Sequence, residues 1–158
     1  MEITNPALKQ LLKVRRGVAF FNNLTEIEIS EIVYNIRFRK FAAQEIIFKE
    51  GARDNKELYF LLQGSVEIDI LNKETLKQMT VATLDKAMLF GEMRALIGEP
   101  RTATAKAGEN GAILITFNIK ESNEELTPLA FAKFYKNVSR ILANKIIQMN
   151  KTLEKEKK

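Results

Sequence analysis

The spacing of hydrophobic residues changes twice along the chain, near residue 37 and again after residue 118. Apolar residues recur at helical spacing before the first change and after the second, whereas short runs of alternating or continuous apolar residues lie between them. This pattern predicts N-terminal helices over 1–36, a β-structure over 37–118 and C-terminal helices over 122–158. A chain of 158 residues fits one domain, so we expect a single domain over 1–158.

The N-terminal region is predicted to contain a first helix from Pro6 and a second one after a break at 21–24. Thr25 and Glu28 stand three residues apart after the break, which is the spacing of a capping box. The capping box predicts a short helix with one buried apolar face. The residues expected on that face are Ile29, Ile32 and Val33.

The central region contains short runs rich in β-branched and aromatic residues, separated by glycines or charged residues. Runs at intervals of about 8 to 12 residues are typical of an antiparallel sandwich or barrel, not of alternating βαβ units. Gly51 and Gly64 are interpreted as turn glycines. The runs therefore predict separate short strands, which include 58–64, 65–71, 102–108 and 112–117.

One stretch interrupts the strands, because residues 92–97 have high helix propensity. Gly91, just before it, lets the backbone approach a ligand closely, and N–H groups at a helix start attract anions. Glu92 can accept hydrogen bonds from sugar hydroxyls. The guanidinium of Arg101 matches two phosphate oxygens, and Thr102 adds a hydroxyl. Together these residue types suit a phosphate joined to a ribose.

Composition removes most enzyme classes. The chain has no Cys and no His, which excludes thiol catalysis, Ser–His and Cys–His dyads, and thiolate or imidazole metal sites. We therefore expect no catalysis, no cofactor and no metal. No apolar run approaches the roughly 18 to 20 residues that span a bilayer, and the N-terminus lacks a signal-peptide layout. These features predict a cytoplasmic protein without a membrane span.

The stretch 90–107, FGEMRALIGEPRTATAKA, resembles the phosphate-binding cassette of the cyclic nucleotide-binding domain family. IIFKEG, LYFLLQGSVEI and the helix–roll–helix order from Phe20 to Ile147 resemble the same domain, over roughly four fifths of the chain. The resemblance implies a mainly β fold: an antiparallel β-roll of the jelly-roll type with N-terminal helices, a short cassette helix and a long C-terminal helix. It also implies a non-catalytic sensor of a 3′,5′-cyclic nucleotide, with cAMP favoured over cGMP.

The resemblance assigns roles to individual residues. In the family the glutamate binds the ribose 2′-hydroxyl, and the arginine pairs with the exocyclic phosphate oxygens. The ligand-binding residues that it implies are Gly91, Glu92, Met93, Arg94, Arg101, Thr102 and Ala103. The side chains of Arg101 and Glu92 are expected to face a cavity and not the apolar core, so that substitutions there leave the fold intact.

The roles of two arginines, Arg94 and Arg101, have more than one interpretation at this point. Arg94 departs from the family, which usually has a small residue at that position. Its long side chain could add a second cation near the phosphate, point to solvent or fill the pocket. Arg101 could instead form a structural ion pair, for example with Glu50 or Glu109.

The last helix carries apolar residues at spacings of 4, 3 and 4, which is typical of a heptad seam. These residues are Leu142, Ile146, Met149 and Leu153. We expect them to form a dimer contact, and one of the first three could also act as a lid over the base.

Partners and ligand are left open at this point. The implied partners are a cyclic nucleotide and either a second copy of the chain or an unidentified effector protein. The net charge of +5 permits nucleic-acid binding, but no recognition helix is apparent, so we expect no direct DNA binding. The alternative function is a degenerate module of the same fold that acts in protein interaction or dimerisation without nucleotide.

Overall fold

The computed structural model describes residues 13, 18–85, 87–118 and 127–156. Of the predicted first helix, from Pro6 to the break at 21–24, only Lys13 and residues 18–20 are described, and residues 122–126, 157 and 158 of the predicted C-terminal region lie outside the described residues. The chain forms two compact units, one from 1–34 with 123–158 and one from 35–122. The expectation of a single domain over 1–158 stays a prediction.

The helical unit contains a 3-10 turn at Ala19–Phe21, helix α1 at Glu26–Ile32 and helix α2 at Pro128–Glu156. A second 3-10 turn, Val33–Asn35, follows α1. The predicted capping box is confirmed, because the Glu28 N–H donates to Thr25 Oγ1 and the Thr25 N–H donates to a Glu28 carboxylate oxygen. The three apolar residues expected on the buried face are at most 4% exposed.

Helix α2 is tied to the N-terminal segment by polar contacts. Asn137 is buried and its side-chain amide donates to the carbonyls of Phe20 at 2.9 Å and Asn22 at 2.7 Å. The Lys133 ammonium lies 2.7 Å from a Glu28 carboxylate oxygen, and this contact lowers the pKa of Glu28. The two Asn137 bonds thus hold the backbone at the 3-10 turn and just after it.

The second unit is built from six strands that pair only antiparallel among the described residues. They are β1 (Ile36–Phe41), β2 (Ile46–Phe48), β3 (Glu57–Leu71), β4 (Gln78–Leu84), β5 (Leu89–Phe90) and β6 (Thr104–Asn118). The sheet order is β1-β6-β3-β4, with β2 on β6 and β5 on β3. The predicted antiparallel β fold with a long C-terminal helix is confirmed.

The two central strands are longer than predicted. β3 and β6 each have 15 residues and pair along both halves, so the prediction of four separate strands at 58–64, 65–71, 102–108 and 112–117 is wrong. The physical reason is Gly64, which has a φ of +83° and lies directly against the carbonyl of Gly111. Glycine at this point lets β3 bend with a shift of register and continue. Gly64 is therefore not a turn glycine, whereas Gly51 lies in a turn.

The bend divides the β3–β6 pair into two halves, each extended by shorter strands. The first half carries β1 on β6 and β5 on β3, and the second half carries β2 on β6 and β4 on β3. The buried core of this unit includes side chains from both halves, among them Leu61, Val66 and Leu114. This arrangement is the predicted β-roll.

The predicted short helix between strands is confirmed. Residues Met93–Ile97, between β5 and β6, form one turn of π-helix, and Gly98 ends it with a φ of +75°. Single π turns are often found at functional sites. The turn places the start of the cassette, at Gly91, beside β3.

The bend predicts unequal effects of alanine at two glycines. Gly51 and Gly64 both have positive φ, but a Cβ on Gly64 would overlap the Gly111 carbonyl oxygen, whereas a Cβ on Gly51 meets nothing within 4 Å. We expect Gly51→Ala to cost about 1–2 kcal/mol of backbone strain and Gly64→Ala to cost more than about 4 kcal/mol. Urea denaturation of both variants measures the difference. Equal losses of unfolding free energy would contradict the close approach of β3 and β6.

Candidate functional site

Arg101 is the most deeply buried charged side chain of the cassette, with 1% of its side chain exposed. Its backbone is fixed by the loop between β2 and β3. The Arg101 N–H donates to the carbonyl of Ala52 at 2.9 Å, and the Gly51 N–H donates to the carbonyl of Arg101 at 2.7 Å. This pair of bonds places the guanidinium under the loop.

The guanidinium donates to five acceptors of the protein. Nε donates to Asp54 Oδ1 at 3.0 Å, and Nη1 donates to the carbonyls of Gly91 at 3.1 Å and Glu57 at 3.2 Å. Nη2 donates to the carbonyl of Asn55 at 3.0 Å and to Asn55 Oδ1 at 3.3 Å. A guanidinium has five N–H bonds, so each of them has an acceptor here.

Aromatic rings cover the face of the same guanidinium. The Arg101 guanidinium carbon lies 4.3 Å from the centre of the Phe48 ring and 5.3 Å from that of Tyr59. Tyr59 in turn stacks on Phe90, with 5.2 Å between ring centres. Cation–π contacts of this kind contribute about 2 kcal/mol when they are desolvated. They compensate part of the cost of burying the charge.

The network continues from Asn55 to Glu57, which is 8% exposed. One Glu57 carboxylate oxygen accepts from Asn55 Nδ2 at 2.9 Å, from the Tyr59 hydroxyl at 3.1 Å and from Arg39 Nη1 at 3.3 Å. Burial, with Glu57 next to it, raises the pKa of Tyr59, so its hydroxyl remains a neutral donor at physiological pH. Asn55 thus joins the Arg101 site to a second buried polar group.

The structure corrects two expectations about Arg101. Its ion-pair partner is Asp54, and the suggested partners Glu50 and Glu109 are wrong; Glu50 instead accepts from the N–H of Leu71 at 2.9 Å. The expectation that the Arg101 side chain faces a cavity is also wrong, since it is buried and fully hydrogen-bonded. The reason is the loop at Asp54, which supplies polar acceptors directly over the guanidinium.

Gly91 leaves no room for a side chain beside Arg101. Its φ is +76°, and a Cβ there would lie 2.9 Å from both Arg101 Nη1 and Tyr59 Cδ2. The close approach expected of Gly91 is therefore made, within the described residues, to the protein's own side chains. Any larger residue would push the guanidinium away from the Gly91 carbonyl.

The other predicted ligand-binding residues are next to Gly91 or Arg101 in the sequence and differ in exposure. Glu92 immediately precedes the π turn and is half-buried, and Met93 is 47% exposed. Thr102 is exposed and Ala103 is half-buried. Their assignment to a ligand remains a prediction.

Arg94 adopts an arrangement that none of the three sequence-based alternatives describes. Its guanidinium donates to backbone carbonyls: Nε and Nη2 to Asp54, Nη2 also to Arg53, and Nη1 to Gly98. All four distances lie between 2.8 and 3.1 Å. Arg94 therefore binds the same loop as Arg101.

The predicted seam residues lie on α2. Leu142 is half-buried, and Ile146, Met149 and Leu153 are 59%, 57% and 55% exposed. Their roles as dimer contact and lid stay predictions. In the parts of the chain that the structure describes, no helix has the length and apolarity needed to cross a membrane.

Comparison with a family sequence model identifies the family of the chain. The sequence model of the cyclic nucleotide-binding domain matches residues 38–119, just over half of the chain. The chain belongs to the cyclic nucleotide-binding domain family. Members of this family bind cAMP or cGMP, and they are regulatory domains that are typically non-catalytic, although they also occur as parts of kinases and channels.

Relatives agree with this family. The domain is 36% identical over 93 residues to a cGMP-dependent protein kinase of Eimeria tenella, and this match covers 59% of the chain and 9% of the kinase. The chain therefore spans only a small part of that curated relative. The regulatory domain of Toxoplasma gondii PKA with cAMP has a TM-score of 0.66 at 15% identity, covering 90% of this chain and 50% of that one. Thermus thermophilus catabolite activator protein has a TM-score of 0.62 at 24% identity, covering 86% and 62%.

The burial of Arg101 predicts that removing its side chain destabilises the protein even without ligand. Arg101→Ala leaves buried backbone carbonyls and Asp54 without their donor, so we expect a loss of about 3 kcal/mol. Arg37→Ala, at an exposed strand position, is the control and should change stability by less than about 0.5 kcal/mol. Thermal denaturation without nucleotide measures both. Equal melting temperatures for the two variants would show that the Arg101 network carries no stability.

Proposed function

We propose that this domain is a non-catalytic sensor that binds a 3′,5′-cyclic nucleotide at Arg101 and relays binding through its C-terminal helix. The observation that carries the proposal is the buried guanidinium of Arg101, hydrogen-bonded to the Gly91 carbonyl at 3.1 Å within the family cassette. A buried, permanently charged group with aromatic rings on its face is a strong binding site for a phosphate.

Phosphate binding at this site requires an exchange of acceptors. Nε and Nη2 of Arg101 form the edge of the guanidinium that two phosphate oxygens can match, and this edge is occupied by Asp54 and Asn55. The Asp54 side chain is 34% exposed, so it can turn toward water when a phosphate replaces it. Nη1 can keep its two backbone carbonyls throughout. The cyclic phosphate thus substitutes for the Asp54 carboxylate.

The sugar and base are assigned to the cassette residues around this centre. Glu92 accepts from the ribose 2′-hydroxyl, and Met93, Thr102 and Ala103 complete the proposed set of contacts, whereas Arg94 acts on the site through the loop at Asp54. The Thr102 hydroxyl could also accept a hydrogen bond from the 2-amino group of guanine, which adenine lacks. We propose cAMP as the preferred ligand and cGMP as the second. Because Thr102 is exposed, its contribution to selectivity should not exceed about tenfold.

One observation favours a second function, an interaction or dimerisation module without nucleotide. The protein itself supplies an acceptor for each of the five N–H bonds of Arg101, so the buried charge is satisfied without any ligand. In that case Arg101 is a structural residue that holds the loop over the roll.

Calorimetry with cAMP and cGMP separates the two functions. We expect the unmodified domain to bind a cyclic nucleotide, and Arg101→Lys to weaken binding at least about 30-fold, because lysine keeps the charge but loses the two-nitrogen edge. Circular dichroism of this variant checks that it is folded. Glu99→Gln, at an exposed cassette position outside the proposed set, is the matched control and should retain binding. Absence of binding to either nucleotide by the unmodified domain would favour the interaction module.

The proposed relay predicts that α2 forms the contact between two copies. Glutamate at position 146 would place a charge in the seam, whereas Gln148→Glu adds the same charge at an exposed position outside it. We expect sedimentation at tens of micromolar to give a dimer for the unmodified chain and for Gln148→Glu, and a monomer for Ile146→Glu. A monomeric unmodified chain, with and without nucleotide, would remove the dimer from the proposal.

A further inference from the structure

Arg94 joins two segments of the chain that are far apart in sequence. Its guanidinium binds the carbonyls of Arg53 and Asp54 in the loop between β2 and β3, and also the carbonyl of Gly98 at the end of the π turn. A planar fork that donates in several fixed directions holds both segments at once, whereas a lysine has three donors on one nitrogen and lacks this fixed geometry. Arg94 is therefore a cross-link between the loop and the cassette.

The two arginines bind neighbouring groups of one loop. Arg94 donates hydrogen bonds to the carbonyls of Arg53 and Asp54, and Arg101 donates to those of Asn55 and Glu57. Asp54 is shared, because its backbone carbonyl accepts from Arg94 while its carboxylate accepts from Arg101. Arg94 therefore holds the backbone of the residue whose carboxylate lies on the Arg101 edge.

The loop depends on these donors because it is not part of the sheet. Residues 52–56 have no regular secondary structure, and residues 53–55 are exposed. Backbone bonds from Ala52 to Lys49 and from Arg101 to Ala52 hold its beginning. From Arg53 onward, the arginine side chains supply the donors that keep its carbonyls in place.

We propose that Arg94 is a positioning residue that holds Asp54 and Asn55 on Arg101 and thereby lowers the affinity of the site for a cyclic phosphate. This inference rests on the proposed function. A phosphate must displace Asp54 and Asn55, so the apparent affinity scales with the fraction of molecules in which the Nε–Nη2 edge of Arg101 is free. Loss of the Arg94 cross-link increases that fraction.

The expected direction distinguishes this role from the others. A second phosphate ligand at position 94 would strengthen binding, so its loss would weaken it. A merely structural residue would lower stability without raising affinity. Removal of a residue that holds competing acceptors in place makes binding tighter, and so does removal of a side chain that fills the pocket; only the first effect depends on Asp54.

Calorimetric titration with cAMP tests the proposal on four variants of the full chain. We expect Arg94→Ala and Arg94→Lys to bind about tenfold more tightly than the unmodified protein. Lysine keeps the charge and loses the fork, so tighter binding by both variants assigns the effect to the hydrogen bonds. Asp54→Asn should also bind more tightly. Arg53→Ala, which removes an exposed charge from the same loop, is the control and should stay within about twofold.

A double variant tests whether Arg94 acts through Asp54. Because Arg94→Ala and Asp54→Asn release the same competitor, their combination should bind only slightly more tightly than Asp54→Asn alone. Fully additive gains would show that Arg94 acts by another route, and unchanged or weaker binding in Arg94→Ala would overturn the proposal.

Amide hydrogen exchange without nucleotide gives a second readout that does not depend on the proposed function. In Arg94→Ala we expect exchange about tenfold faster at the Gly51 and Arg101 amides, whose bonds join the loop to the cassette, and no change in Arg53→Ala. If no variant binds nucleotide but the exchange rises, the proposed function fails and the cross-link stands. Unchanged exchange in Arg94→Ala overturns the cross-link even where nucleotide binds.

Discussion

The buried positive charge of Arg101 must be compensated inside the protein, and the arrangement around it follows from this requirement. Moving an ion out of water costs several kcal/mol unless hydrogen bonds and opposite charge replace the lost hydration. Here the compensation comes from five acceptors, one of them the Asp54 carboxylate, and from the faces of Phe48 and Tyr59. The same groups that make the charge tolerable are the ones a phosphate would have to replace.

This constraint connects features that look independent in the sequence. Gly91 must be small because the guanidinium lies where its side chain would be. The loop at Asp54 has no sheet partners, yet it is held over the cassette by two arginines. The bend of β3 at Gly64 keeps both halves of the long β3–β6 pair in one roll. The loop at Asp54 and the cassette connect strands of this roll. A ligand that competes for Arg101 would therefore also loosen the loop.

Sequence reasoning succeeded where the signal is local. The capping box at Thr25 and the short helix before Gly98 depend on residues a few positions apart, and both are in the structure. The interpretation of Gly64 as a turn glycine failed, because a glycine at a turn cannot be distinguished in the sequence from a glycine at a bend within a strand. Sequence reasoning also missed Asp54, which lies 47 residues before Arg101 and meets it only after the roll has formed. The polar run after Gly51 was the only signal available for that contact.

Nitrogen-15 NMR of the Arg101 Nε–H group is the measurement that tests this account most directly. In the ligand-free protein the Nε–H should give a slowly exchanging resonance that shifts in Asp54→Asn, because Asp54 is its acceptor. Addition of cAMP should move the same resonance in the unmodified protein, as phosphate replaces the carboxylate. A rapidly exchanging Nε–H in the free protein, or cAMP binding that leaves the resonance unchanged, would contradict the account.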